Sequence, residues 1–130
     1  MTPITDLQQL LASMAPYLHR GEYVFCSLSG DYGDFGHLEP ITAFREQEGL
    51  SLVIPKDKAL AENIEFDSTY RMITLTVHSS LDAVGLTAAV AAKLTEHGIS
   101  ANVIAAFHHD HIMVPTLKAD DAMTALAELS

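Results

Sequence analysis

Four consecutive residues, His108-His109-Asp110-His111, form the densest group of chemically able side chains in the sequence. Imidazole and carboxylate are ordinary zinc ligands. Adjacent strand residues point to opposite faces, so all four do not ligate one ion. His109 and His111 can meet across a turn that Asp110 shapes. No Cys or distant His pair completes a tetrahedron, so a metal is not expected. Asp31, Asp34 and His37 lie in the stretch SGDYGDFGHLEP, residues 29–40, among glycines three apart. A calcium loop needs oxygens at alternate positions and a late Glu, and this spacing supplies neither. The stretch reads as a solvated, mobile acidic loop, placed to serve as a lid. Cys26 reads as a buried, inert thiol on a strand. Cys-His catalysis stays open, because such partners meet only in space. Ser79 and Ser80 lack the sharp Gly-x-Ser-x-Gly turn of an esterase. Phosphate-cradling and dinucleotide glycine patterns are absent.

The elements that must position these groups are legible from periodicity. Thr5-Asp6-Leu7-Gln8 fits a capping box, followed by Leu7, Leu10, Leu11 and Met14 at helical spacing until Pro16. Residues 23–28, YVFCSL, read as a strand. ITAFREQ and LSLVIP flank Glu48-Gly49 as a hairpin, with Gly supplying positive φ. Residues 56–63 read as a short helix. Tyr70 to His78 alternates, with Ile73, Leu75 and Val77 on one face and Met72, Thr74 and Thr76 on the other. A helix is expected from about Asp82 to His97, stopped by Gly98. Strands at Ala101–Phe107 and His111–Pro115 flank the histidine turn, and a helix over 119–129 closes the chain, with Asp120 and Asp121 near its positive end.

Residues 70–129 thus run β-α-β-β-α. That is the order of the α+β, ferredoxin-like βαββαβ sandwich without its last strand. The first half ends in a similar order, so two related halves packed as one unit are expected. The strand near Tyr23 is a candidate for the missing edge.

Acidic residues outnumber basic ones 17 to 7, a net charge of −10. Such a chain repels phosphate backbones and anionic lipid, which disfavours nucleic-acid and membrane partners. One cysteine permits no internal disulfide. The start lacks a basic region before an apolar stretch, and no apolar run approaches the ~20 residues of a membrane span. A cytoplasmic location is the expectation.

Residues 78–115, HSSLDAVGLTAAVAAKLTEHGISANVIAAFHHDHIMVP, resemble an ACT domain, in which a strand ends in a turn with Asp and Gly, a helix follows, and Gly-Ile-Ser leads into a hairpin. Here these are Asp82, Gly85, Gly98, Ile99 and Ser100. The hairpin Asp110-His111-Ile112-Met113-Val114 resembles the ACT repeats of aspartate kinases and of eukaryotic cytosolic arginine sensors. YVFCSL (23–28), FREQEGLSLVIP (44–55) and YRMITLTVHSSL (70–81) are similar to a small bacterial family of paired ACT-like proteins. The resemblance divides the chain into an N-terminal ACT-like half, 1–66, and a C-terminal ACT domain, 67–130. It implies a regulatory protein that binds a small molecule, an amino acid, and does no chemistry. It places the ligand where a strand-to-helix turn faces a neighbouring domain or subunit.

The site so implied comprises Asp82, Ala83, Val84, Gly85 and Leu86 at the turn. Asn102, Val103 and Ile104 join from a strand edge, with His111 as a hydrogen-bonding wall. A turn entering a helix offers unpaired N–H groups that suit a carboxylate, and Gly85 lets a ligand approach the backbone. Asp82 suits an α-ammonium group and equally suits a helix cap. Gly85 equally suits tight packing. The expected partners are an amino-acid-like ligand and a second copy in a homodimer. The rival readings are a small histidine- or metal-dependent hydrolase or isomerase, and a pure protein-interaction module.

Overall fold

The computed structural model describes residues 6–77 and 85–130. The chain forms two compact units, one of Met1–Arg20 with Arg71–Ser130, the other of Gly21–Tyr70. This spatial grouping differs from a division after residue 66, because the first twenty residues belong with the last sixty.

In the discontinuous unit, α1 (Leu7–Ala12) is capped by Asp6, whose carboxylate accepts the N–H groups of Gln8 and Gln9 at 2.8 and 3.2 Å. The cap is therefore Asp6 rather than Thr5, which lies outside the described residues. Leu10 and Met14 are fully buried. Ala15 turns through a positive φ of 41°, and the chain enters β1 (Pro16–Leu18). Pro16, expected only to end a helix, instead starts a strand, where its missing N–H is tolerated. β1 pairs antiparallel with β5 (Tyr70–Leu75), setting Pro16, Tyr17 and Leu18 opposite Leu75, Thr74 and Ile73. The unit continues with α3 (Leu86–Glu96), β6 (Asn102–Ala105), β7 (Asp110–Pro115) and α4 (Ala119–Ala127). The strand order is β1-β5-β7-β6. The missing last strand of the βαββαβ pattern is thus supplied by β1, from the other end of the chain, while the strand near Tyr23 neighbours β5 through the single rung Tyr23↔Tyr70.

One face of this sheet carries the core. Ile73, Leu75, Ile112 and Val114 from the strands meet Leu86, Val90 and Leu94 from α3 and Ala119, Ala122, Ala125 and Leu126 from α4. The period-two alternation of β5 leaves Met72 and Thr74 on the opposite face.

The continuous unit holds β2 (Tyr23–Leu28), a 3-10 segment (Tyr32–Leu38), β3 (Thr42–Glu46), β4 (Gly49–Pro55) and α2 (Lys56–Ala61). The strand order is β3-β4-β2, both pairs antiparallel. Gly49, at φ 152°, is required where it stands: a Cβ there would meet Ser27 Oγ at 2.8 Å and the Leu28 carbonyl at 3.2 Å. Val24, Leu38, Leu50, Leu52, Ile54 and Ala59 form the core. Residues 29–40 are largely exposed, as expected, but they are not an irregular loop throughout. Leu38 is buried and Phe35 packs beside it, while the Asp34 carboxylate accepts the Asp31 N–H at 2.9 Å. Arg45 pairs with Asp31 at 3.4 Å, and His37 Nε2 lies within hydrogen-bond distance of Glu62 Oε1 at 3.2 Å. Residues 23–61 and 70–127 each run strand, helical segment, strand, strand, helix.

Candidate functional site

The start of α3 is the first element of the expected site. Its cap position falls on Gly85, left-handed at φ 102° and ψ −18°, rather than on Asp82. The Gly85 carbonyl accepts the Ala89 N–H at 2.8 Å. A glycine cap brings no side-chain acceptor to the first-turn N–H groups, which carry the partial positive charge of the helix end. Gly85 also fits closely, since a Cβ there would come within 3.2 Å of Leu7 Cδ2. Leu86 directs its side chain into the core, so only its main chain faces elsewhere. Asp82, Ala83 and Val84 lie outside the described residues, as do Ser79 and Ser80.

The second element is the sheet face opposite the helices. β6 pairs with β7 in the register Asn102↔Met113, Val103↔Ile112, Ile104↔His111 and Ala105↔Asp110. Val103 and Ile112 turn to the core. Asn102, Ile104 and His111 therefore share the other face. β6 ends the strand order, so it offers main-chain groups along its outer side. The expected residues thus fall into two groups, a helix cap and a sheet face, with Val103 contributing main chain alone.

A cluster that the sequence did not reveal surrounds His111. Thr74 Oγ1 lies 2.6 Å from His19 Nε2 and 2.8 Å from His111 Nδ1. A hydroxyl has one proton, so it donates to one imidazole and accepts from the other, coupling the two tautomers. The Arg71 guanidinium donates twice to the His19 carbonyl, at 2.7 and 3.2 Å. Tyr17 stands edge-on to the His19 ring at 4.8 Å. Burial lowers the pKa of His19. Burial, then the charges of His109 and His19, lower that of His111. Asp110 is buried, and that burial raises its carboxyl pKa.

Thr74 is buried and bonded on both sides, so its own hydroxyl is not an open nucleophile. His109 Nδ1 donates to the Val77 carbonyl at 3.2 Å, so His109 and His111 are committed to different partners. Among the described residues no group of three or more His, Cys, Asp or Glu is arranged to hold a metal ion. Cys26 is partly exposed on β2, and burial raises its thiol pKa, which keeps it protonated at neutral pH. No described helix is long and apolar enough to cross a membrane.

Family models described as ACT domain match residues 2–71 and 67–128. The chain belongs to the ACT family. A Vibrio cholerae protein of unknown function is 54% identical, with 95% of this chain and 94% of that one covered and a TM-score of 0.87. The ligand-free regulatory subunit of aspartate kinase from Thermus thermophilus is 8% identical, covering 91% and 98% of the two chains with a TM-score of 0.64. The E. coli aspartokinase III structure in complex with aspartate and ADP is 13% identical, covering 88% of this chain and 32% of that one at a TM-score of 0.64. At such identities the last two establish a shared fold. No curated protein matches the chain. The two ACT matches meet near residue 70, whereas in space β1, within the first match, completes the sheet of the second.

Proposed function

We propose that this ACT protein is a cytoplasmic, non-catalytic regulatory module that binds a free amino acid and works as a homodimer. The observation that carries this reading is the glycine cap of α3 in a chain with two ACT matches. First-turn amides without a side-chain cap among the described residues attract a carboxylate, and Asp82, three residues before that cap, supplies the opposite charge for an ammonium group. Leu86 contributes its N–H, and Ala83 and Val84 the main chain of the turn. Asn102, Ile104 and His111, on the sheet face opposite the helices, form the wall from the second copy of the homodimer, with the Val103 main chain between them. Two sequence segments, 1–66 and 67–130, each carry one ACT repeat. Ligand binding regulates only by favouring one arrangement of the protein over another.

A thermal-shift panel of the common amino acids tests the reading. A ligand at 100 times its dissociation constant adds about 2.7 kcal/mol to stability, a clear rise in Tm. Asp82→Asn is the informative variant, and it is expected to reduce the shift. Gly85 is a poorer probe, because any side chain at its positive φ is strained with or without ligand. A panel without any shift at millimolar concentration rejects the proposal.

A further inference from the structure

A cavity lies in the continuous unit, on residues that the amino-acid reading does not use. Residues 64–68 run beside β2 without forming a strand. They are tied at one end by the Ile64 N–H donating to the Ala59 carbonyl at 2.9 Å, and at the other by the single rung Tyr23↔Tyr70. Between these ties a cavity of about 600 Å³ opens, lined by Phe25, Cys26, Ser27, Ile64, Glu65, Phe66 and Asp67. That volume is in the range of sites for small organic ligands.

The strand register decides which main-chain groups face it. Glu46↔Gly49 closes the hairpin, and the Ile41 N–H donates to the Val53 carbonyl at 2.8 Å. Ser51 and Val53 therefore turn their main chain to β3, and Leu50, Leu52 and Ile54 turn theirs to β2. Their partners Leu28, Cys26 and Val24 are occupied. Phe25 and Ser27, opposite Val53 and Ser51, turn their N–H and C=O groups away from β4, to the cavity side. The lining thus combines strand-edge acceptors, two carboxylates, two phenyl rings and Ile64, and it holds no Lys or Arg. Phe25 is fixed by Tyr70, whose ring meets it edge-on at 4.9 Å.

We infer that this cavity binds a small organic amine with an apolar body, an alkyl- or arylammonium ion. Its ammonium group donates to Glu65, Asp67 and the Phe25 carbonyl, and its body lies against Phe25, Phe66 and Ile64. Charge-assisted hydrogen bonds favour the cation over a neutral analogue, and the net charge of −10 repels an anion.

Calorimetric titration of the full chain with phenethylamine, 2-phenylethanol and 3-phenylpropionate at pH 7 tests this. The amine is expected to bind at least about ten-fold more tightly than the alcohol, a difference of about 1.4 kcal/mol, and the acid not at all. The double variant Glu65→Gln/Asp67→Asn is expected to weaken the amine about ten-fold while leaving the alcohol as it was. Phe66→Leu should weaken both. Asp82→Asn should leave amine binding intact, which separates this site from the amino-acid site. Equal binding of amine and alcohol overturns the inference. So does amine binding insensitive to Glu65 and Asp67, amine binding lost in Asp82→Asn, or no heat at about 10 mM amine.

Discussion

Thr74 shows how much can rest on one hydroxyl. It is 7% exposed and holds His19 and His111 on either side. Thr74→Val keeps the shape and removes both hydrogen bonds, leaving two half-buried imidazole nitrogens unpartnered. A loss of about 1–3 kcal/mol is expected, because an unsatisfied buried polar group costs that much. Urea unfolding measures it. The same histidines set a pH dependence. Both have folded-state pKa values below the ordinary 6.5, so between those values and about 6.5 the unfolded chain binds more protons. Stability from this source is therefore constant above about pH 6.5 and is lost as pH falls through the folded values. Asp110 acts oppositely and lower down. Its raised pKa lets the folded chain bind more protons just above the ordinary 3.8, adding stability as pH falls there. Melting temperatures should thus fall from pH 7.5 to 5.5, and His19→Asn/His111→Asn should flatten that descent. An unchanged descent would assign it to other groups.

At the scale of elements, β1 is the piece that sequence reading missed. Three residues beginning with Pro carry too little alternation to register as a strand, and their partners in β5 are 55 to 59 residues away. The strong periodic elements, β2, β4, β5 and the helices α3 and α4, were legible because their apolar spacing matches the face they bury. The 3-10 segment was not, since glycines at 30, 33 and 36 mask the burial of Leu38 and Phe35. His19 and Thr74 could not be joined before β1 was known. His111 and Ile104 stood out because a short turn joins their strands. The placement of β1 has a direct consequence. Residues 67–130 alone lack Leu10, Met14 and a strand of their own sheet, and should fail to fold. A permuted chain running 71–130, a flexible linker, then 6–20 should fold cooperatively, as amide exchange or circular dichroism will show. Stable folding of 67–130 alone would mean that β1 is dispensable.

For the whole molecule, the proposed regulatory role rests on two ACT matches and a strongly acidic composition. Its expected ligand is a zwitterion, read by main-chain amides at one end and an acid at the other. The most direct measurement is a calorimetric titration of the intact protein with each common amino acid. The account predicts that at least one binds saturably with up to one site per chain, and that Asp82→Asn weakens it about ten-fold. Silence from every amino acid at millimolar concentration, or binding indifferent to Asp82, would contradict it.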